Sequence, residues 1–419
     1  KICGVGEMKE VHKLLLGRVL TNIGDSIVLI SLTWYVAVTY HNTLYLGIIG
    51  VIVGVIDVFM FFLGPILDRY NIKKILCIST LAQVFIVILM SLYFLLDHHH
   101  LLILYILLSM STLFSSVIYP AESVLIPKLS TDARQVVKYN AIFQMTYKGL
   151  DVVLDALVGV LLSIFLIVNI FSFNVIIFVV AFFVFKLLRL NSTTIHHKDN
   201  IEASDRILSR YLADLKEGMI YVSRPKILKL LLPLSIINFS LSAVTVIYPK
   251  IAVLEGNDSK VFSLILFVNG LGLILGYLVG PRIIRYIKFS KLLFSSFFIL
   301  FIIWLCIYLF INVSYVYILP MFLVSNIMIG IINLAFINAF QLLPPQNMLG
   351  RVATTNETLL SILIPFGAFT GGILPQLFGT ININFILVSI ACLVISIFYV
   401  IDKDIKKMND LMMTGDEQL

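Results

Sequence analysis

The chain has 419 residues, of which 60% are hydrophobic and only 13% are charged. A water-soluble globular protein of this length needs far more polar surface, so the composition predicts an integral membrane protein. The net charge of +7 does not indicate a nucleic-acid partner, because the sequence lacks the basic segments interleaved with aromatic residues that are typical of an RNA-binding surface.

Apolar runs of ~20 residues recur along the whole chain, and each is long enough to cross the hydrocarbon core of a bilayer as a helix. We count twelve of them, six in each half, which predicts an all-α integral membrane protein. The basic residues cluster at alternate ends of these spans, which places both termini in the cytoplasm. The runs begin near Leu14, Leu44, Ile75, Leu101, Ala141, Ile170, Leu230, Val261, Leu292, Val316, Val352 and Phe385.

The first two spans carry polar residues that a simple anchoring helix would not need. Asn22 and Asp25 are three residues apart, so they lie on one face of span 1. Asp57 lies in span 2, after two glycines that favour close helix packing. A charge that faces lipid costs about 3 kcal/mol, so we expect these carboxylates to face a water-filled cavity, to pair or to be neutralised. Asp25 is the better candidate for the cavity.

A phrase that follows span 2 occurs a second time after span 8. The segment from Gly64 to Tyr70 reads GPILDRY, and the segment from Gly280 to Tyr286, 216 residues later, reads GPRIIRY. A second pair of phrases, around Arg134 and around Arg351, has nearly the same offset. Two matches at one offset predict a tandem duplication of membrane helices.

The duplication predicts two six-helix halves, at residues 1–190 and 230–419, the second with a short cytoplasmic tail. Halves that are parallel repeats of this kind form a central cleft. Residues 191–229 are the one long hydrophilic stretch and are predicted to be a cytoplasmic linker. Between Ser204 and Tyr221 the linker has apolar residues at helical spacing, which predicts an amphipathic helix on the membrane surface.

Span 5 carries the strongest cluster of charges. Lys148, Asp151 and Asp155 are separated by three and four residues, so they fall within about 60° of arc on one helix face. A lysine close to two carboxylates would keep one of them ionised and leave the other able to exchange a proton, which predicts a proton carrier. The alternative is a structural triad that fixes span 5 to a neighbouring helix.

Glu357, six residues beyond Arg351, is a further candidate, either as a cavity carboxylate or as a partner of basic residues at the cytoplasmic side. The carboxylates in the spans outnumber the one lysine, and this negative bias favours a cationic or zwitterionic substrate. Aromatic rings could stack on a cationic centre, although anchoring at the membrane interface is another role for tryptophan and tyrosine. The residues predicted to contact the substrate are Asn22, Trp34, Tyr147 and Tyr248.

The phrase Gly64-x-x-x-Asp68-Arg69, followed by Lys73, resembles the signature loop of the major facilitator superfamily, with Asn71 where the signature has its second glycine. The resemblance covers the whole chain and implies twelve helices in a bacterial plasma membrane, with two halves that rock about a central site. It also implies that this loop is a cytoplasmic latch, formed in the outward-facing state and broken in the inward-facing state. The gate residues expected on this basis are Gly64, Asp68, Arg69, Lys73, Arg134 and Arg351.

Two further phrases, Tyr119-Pro120-Ala121 and Gly350-Arg351-Val352, resemble the macrolide-efflux and siderophore-export branch of the superfamily. Span 5 departs from the exporters of the superfamily, because Leu154-Asp155 replaces the Gly-Pro pair of the antiporter motif. Asp155 therefore adds either ligand chemistry or proton chemistry that the motif lacks.

Together these features predict a secondary active exporter, coupled to protons, of a small amphipathic cationic or zwitterionic compound such as a macrolide or a secreted metallophore or siderophore. The alternatives are a lipid flippase and a membrane receptor that has kept the fold without pumping. An enzyme is not expected, because no nucleophile–base pair or metal motif is present. We expect a monomer whose partners are its substrate, protons and membrane lipid, with no cofactor and no metal.

Overall fold

We describe the protein from a computed structural model. The structure describes residues 2–67, 71–96, 100–118, 133–189, 219–342 and 349–402, together with residues 121, 125, 126, 216, 217 and 405. These residues form helices and their connections, and no strand occurs among them. The predicted all-α fold is confirmed. The amphipathic helix expected between Ser204 and Tyr221 lies largely outside the described residues and stays a prediction.

In the described part of the first half, six long helices occur, one for each predicted span. Local signals explain one of the starts: the side chain of Asn71 accepts a hydrogen bond from the backbone N–H of Lys74 and so caps the third helix. The helices are α1 (Ile2–Tyr40), α2 (Thr43–Leu67), α3 (Ile72–Leu95), α4 (Leu101–Ser116), α5 (Ala133–Ile164) and α6 (Ile167–Lys186).

The second half forms eight helices, because two of its six predicted spans are broken. Pro249 and Pro365 lie in the first turn after each break, where proline is tolerated because the N–H that it lacks would have no acceptor within the new helix. The helices are α7 (Pro225–Thr245), α8 (Tyr248–Leu254), α9 (Ser259–Tyr286), α10 (Phe289–Phe310), α11 (Tyr315–Leu342), α12 (Leu349–Ser361), α13 (Ile364–Phe378) and α14 (Asn382–Ile401).

Nine helical segments of the described chain are long and apolar enough to cross a membrane, and residues 43–59 and 101–116 form shorter apolar helices. The remaining predicted span is α5, whose apolar part also contains the three charged residues of span 5. Large apolar side chains such as Phe85, Leu89 and Phe173 are exposed on these helices. Such surfaces are expected to face lipid, because exposing so large an apolar area to water would be unfavourable.

The chain divides into two compact units. Unit 1 contains residues 1–35, 55–206 and 258–263, and unit 2 contains residues 36–54, 207–257 and 264–419. In unit 1, α3 packs along α6; in unit 2, α10 packs along α14 and α7 packs along α13. The sequence boundaries of the two predicted halves, at residues 190 and 230, stay a prediction.

Helices α1 and α6 approach closely in unit 1 because glycines on α1 face phenylalanines on α6. A Cβ atom at Gly17 would lie 2.3 Å from the ring of Phe185, and one at Gly24 would lie 2.5 Å from the ring of Phe178. Both pairs repeat after seven residues, which is two turns of each helix. Both rings have no exposed surface, so the glycines make room for two large side chains of the core.

A buried asparagine ties the last helix of each half to the first helix. In unit 1, Asn174 on α6 donates from Nδ2 to the carbonyl oxygen of Gly24 at 3.0 Å. In unit 2, Asn384 on α14 donates to the carbonyl oxygens of Ala243 and Gly371, at 2.8 Å each. Both asparagines are fully buried. The same contact in both halves agrees with the duplication that the repeated phrases predict.

A lysine near the start of each half makes a second tie of this kind. Lys13 on α1 donates to the carbonyl oxygen of Leu187 after the end of α6, and pairs with Glu10 at 2.7 Å. Lys229 on α7 pairs with Asp402 after the end of α14, also at 2.7 Å. Lys13 and Lys229 are 216 residues apart, the same offset as the two copies of the phrase that starts at Gly64.

Candidate functional site

Asp25 lies near the middle of α1, and two neutral donors hold its carboxylate. Gln83 on α3 donates from Nε2 to Oδ1 at 3.1 Å, and the hydroxyl of Ser115 on α4 donates to Oδ2. Arg18, two turns earlier on α1, interacts with the carboxylate electrostatically. Side chains from three helices, α1, α3 and α4, therefore meet at one half-buried carboxylate. The sequence alone does not predict this convergence.

The amide of Gln83 has a fixed orientation, because both of its ends are hydrogen-bonded to Ser111 on α4. Its Nε2 donates to the carbonyl oxygen of Ser111 at 2.8 Å, and its Oε1 accepts from the hydroxyl of Ser111 at 2.8 Å. The side chain of Gln83 has no exposed surface. A buried amide with all these bonds made is rigid, so it presents an N–H to Asp25 in a set direction.

Asp151 on α5 is linked to α1 through Asn22. The Nδ2 atom of Asn22 donates to Oδ1 of Asp151 at 3.0 Å, and Asn22 is only 7% exposed. Asp155, one turn further along α5, interacts electrostatically with Asp151, and both side chains are half-buried. Asp151 and Asp155 are therefore close enough to interact, as residues on one face of α5 would be. The side chain of Lys148, the third residue of the predicted triad, lies outside the described residues.

Tyr147 on α5 lies among the other charged groups of unit 1. The guanidinium of Arg18 is 5.0 Å from the centroid of its ring, a distance at which a cation is attracted to an aromatic face. Tyr147 also interacts electrostatically with Asp25, Asp57 and Asp151. Asp57 on α2 is exposed and accepts a hydrogen bond from the hydroxyl of Ser116 at 3.3 Å.

Four carboxylates on α1, α2 and α5 therefore belong to one neighbourhood of unit 1, which we call the acidic cluster: Asp25, Asp57, Asp151 and Asp155. Neutral amide or hydroxyl groups donate to three of them, and Arg18 also interacts electrostatically with Asp25. Neutral donors stabilise a carboxylate without cancelling its charge. The arrangement can therefore hold a proton or attract a cationic group, since either relieves the mutual repulsion of the carboxylates.

Unit 2 has a group of neutral polar side chains on α8, α9 and α11. Asn326 on α11 donates from Nδ2 to Oδ1 of Asn269 on α9 and to the carbonyl oxygen of Phe322. Tyr248 on α8, which is 4% exposed, lies beside Asn269, and its ring packs edge-on against Phe322. Glu357 on α12 is exposed.

Trp34, in unit 1, is another residue that the sequence predicts to contact the substrate. Its side chain is 9% exposed, and its ring stacks on that of Phe262 with 6.1 Å between the ring centroids.

Several polar partners were not predicted from the sequence. Gln83 could have been noticed as an amide within an apolar run, by the rule that polar residues in a span carry a function. Ser111 and Ser115 have no such signal, because serine is common in membrane helices and often bonds only to the carbonyl of the preceding turn. Ser109 and Thr80 do so here, to Tyr105 and Leu76.

Comparison with known families identifies the fold. The sequence profile described as Major Facilitator Superfamily matches residues 14–368. The chain belongs to the major facilitator superfamily. No curated protein sequence matches it.

Solved structures of other transporters have the same superfamily fold. A nucleoside transporter, NupG, is 10% identical, with a TM-score of 0.70 over 93% of this chain and 99% of that one. A bacterial homologue of the iron transporter ferroportin, in an inward-facing state, is 14% identical, with a TM-score of 0.69 over 94% and 98%. A POT family transporter in complex with 5-aminolevulinic acid is 12% identical, with a TM-score of 0.70 over 96% of each chain. At such identities the likeness concerns the fold alone.

The signature loop of the superfamily falls mostly outside the described residues. Gly64 belongs to α2, whereas Asp68 and Arg69 are not described. Arg134 and Arg351 lie in α5 and α12, but their side chains are not described. Lys73 donates from Nζ to the carbonyl oxygen of Leu188 at 2.6 Å, so it holds the chain that follows α6. The roles of these residues as a gate stay a prediction.

Proposed function

We propose that the protein is a secondary transporter that exports a small amphipathic compound, cationic or zwitterionic, in exchange for protons. The observation that supports this proposal is the acidic cluster of unit 1. Each carboxylate inside a membrane helix costs about 3 kcal/mol when it faces lipid. Four of them in one neighbourhood are therefore difficult to explain as packing residues.

The chemistry of the cluster favours an exchange of protons for a cationic group. A carboxylate of the cluster is stabilised when it takes up a proton or when a cation binds beside it, and the two events compete for one negative charge. Competition for one group is the simplest way to make two movements depend on each other. The sign of the charge also favours a cationic or zwitterionic cargo over an anionic one.

The proton gradient supplies enough free energy for such an exchange. One proton that enters down a membrane potential of ~100 mV releases about 2.3 kcal/mol, and each unit of pH gradient adds about 1.4 kcal/mol. Their sum corresponds to a substrate gradient of roughly a hundredfold or more. The export direction, and macrolides or secreted metallophores and siderophores as cargo, rest on the phrases at residues 119–121 and 350–352.

Uptake into everted membrane vesicles with an acidic interior tests the proposal. The probes are a radiolabelled macrolide and the permanent cation ethidium, which represent the two nearest kinds of cargo. We expect uptake that needs the pH gradient and stops when a protonophore is added. Asp25→Asn and Asp151→Asn should each reduce gradient-driven uptake by about tenfold or more, since each removes a charge worth at least 1.4 kcal/mol to the coupling.

Glu255→Gln is the matched control, because Glu255 is an exposed carboxylate just after α8 and belongs to unit 2. It should leave uptake unchanged. Uptake that is insensitive to the gradient in the parent protein would contradict proton coupling. Loss of coupling in Glu357→Gln, with coupling retained in both aspartate variants, would move the site to α12.

A further inference from the structure

The hydrogen bonds of Asp25 give its two carboxylate oxygens different roles. Oδ1 accepts an N–H from Gln83, whose Nε2 can only donate because its lone pair is delocalised over the amide. Oδ2 faces the hydroxyl of Ser115, which can donate or accept. A proton on Oδ1 would point at a donor, whereas a proton on Oδ2 would point at a group able to receive it.

The position of Gln83 makes this difference permanent. If its amide turned over, Oε1 would face the carboxylate, and both bonds to Ser111 would be lost. A turned amide would leave buried polar atoms without partners, which is costly in a side chain with no exposed surface. Gln83 therefore keeps its N–H directed at Oδ1 whether or not Asp25 is protonated.

We propose that Oδ2 of Asp25 is the proton-binding atom of the acidic cluster, that Gln83 is the positioning residue that reserves Oδ1 as an acceptor, and that Ser115 is a hydroxyl switch. This deepens the proposed function and rests on it. When a proton binds, Oδ2 becomes a donor and the Ser115 oxygen accepts from it. The Ser115 hydroxyl proton then turns away from Oδ2, because the Ser115 oxygen now accepts along that bond.

The charged and titratable groups that interact with Asp25 come from α1 and α5. Arg18 on α1 and Tyr147 on α5 both interact with it electrostatically. From α3 and α4 the side chains that reach it are the neutral Gln83 and Ser115. Asp57 and Asp151 interact with Tyr147, so they lie within reach of the same neighbourhood and are expected to influence the midpoint of proton binding.

The test is an infrared titration of the purified protein in lipid, which follows the carbonyl stretching band of protonated carboxyl groups as the pH is lowered. The band of Asp25 is the one missing in Asp25→Asn. In the parent protein this carbonyl is C=Oδ1 and accepts from Gln83, so its stretch has the lower frequency of a hydrogen-bonded carbonyl. In Gln83→Met, a substitution of similar volume, we expect the band at the higher frequency of a free carbonyl and a midpoint about one pH unit higher.

Variants of Ser115 separate the switch from the positioning residue. Ser115→Ala removes the partner of Oδ2, so the midpoint should also rise, but the C=Oδ1 stretch should stay where it is in the parent. Ser115→Thr keeps the hydroxyl and should restore the parent midpoint. Ser91→Ala is the control, since Ser91 is on α3 and bonds Ser172 on the exposed side of the helix; it should change neither value.

The possible failures are distinguishable. If Asp25→Asn removes a titrating band but Gln83→Met changes neither its frequency nor its midpoint, Gln83 does not position Asp25, and the proposed exchange function stands. If Asp25→Asn removes no band and leaves gradient-driven uptake intact, Asp25 is not the proton site and this inference is wrong. If uptake by the parent protein does not depend on the pH gradient, the proposed function itself is wrong.

Discussion

The two units of this protein share a scaffold but differ in chemistry. In each, a buried asparagine of the last helix bonds to the backbone of the first helix, and a lysine near the start of the half reaches the end of that last helix. Helices α7 to α14 contain one carboxylate, Glu357, whereas α1, α2 and α5 carry the four of the acidic cluster. After a duplication, packing contacts are kept in both copies because each copy needs them to fold, while the charges need to remain only where they act.

The difference also appears in how the polar residues are used. In unit 1 the amides of Asn22 and Gln83 donate to carboxylates. In unit 2 the amides of Asn326 and Asn238 donate to another amide and to backbone carbonyls. A bond to a carboxylate depends on its protonation, whereas a bond between neutral groups does not. The bonds to carboxylates in unit 1 are therefore the ones that protonation would change, whereas the bonds of Asn326 and Asn238 in unit 2 would not change.

The largest expected effect concerns the shared scaffold, at the glycines beside the two buried asparagine ties. A Cβ atom at Gly371 would lie 2.1 Å from the carbonyl oxygen of Ala243, and one at Gly24 would lie 2.5 Å from the ring of Phe178. A ring can turn aside more easily than a backbone can, so Gly371→Ala should cost about 3 kcal/mol and Gly24→Ala about 1 kcal/mol. Thermal unfolding of the purified variants measures both.

Gly149→Ala on α5 is the control for this pair, because its Cβ atom would meet nothing within 4 Å. It should raise the unfolding temperature slightly, since alanine is the better helix former. Equal losses of unfolding free energy in Gly24→Ala and Gly371→Ala would contradict this prediction. They would show that the ring of Phe178 and the backbone of Ala243 move aside equally easily.

A smaller effect is expected when an amide that donates a hydrogen bond is removed from each unit, and the two units should respond differently. Asn22→Leu removes the donor to Asp151, and a bond to a charged group contributes about 1.5 kcal/mol or more. Gradient-driven uptake in vesicles should therefore fall by about tenfold. Asn326→Leu is the matched change in unit 2, and it should alter the substrate concentration for half-maximal uptake without altering the dependence on the pH gradient. A loss of gradient dependence in Asn326→Leu would remove the distinction between the units.

The fold could be predicted from the sequence because its signals are local or periodic. Each apolar run is long enough to be a helix, and the phrases at Gly64 and Gly280 predict a duplication without any structure. The breaks after Thr245 and Ser361 were missed. Pro249 and Pro365 could have indicated them, but a proline in a membrane helix is also compatible with an unbroken helix, as Pro233 and Pro320 show here.

The candidate site could be predicted only as a set of separate charges. The common face of Asp151 and Asp155 follows from helical spacing, and Asp25 stood out as a carboxylate in a span. Which groups meet across helices depends on the rotation of each helix about its axis, which no local pattern contains. The bonds from Gln83 and Ser115 to Asp25 join residues 58 and 90 positions apart, so the structure was needed to find them.

The smallest expected effect compares the two asparagine ties. Asn384→Leu removes two hydrogen bonds and Asn174→Leu removes one, and such a bond contributes about 0.6 kcal/mol in a membrane protein. Each substitution also removes a buried Oδ1 atom that has no hydrogen-bond partner among the described residues, a gain that both variants share and that offsets roughly one bond. Asn174→Leu should therefore leave the unfolding temperature nearly unchanged, while Asn384→Leu should lower it. If Asn174→Leu proved the more destabilising of the two, the tie of unit 1 would be the stronger one, and the bonds to Ala243 and Gly371 would contribute less than their geometry indicates.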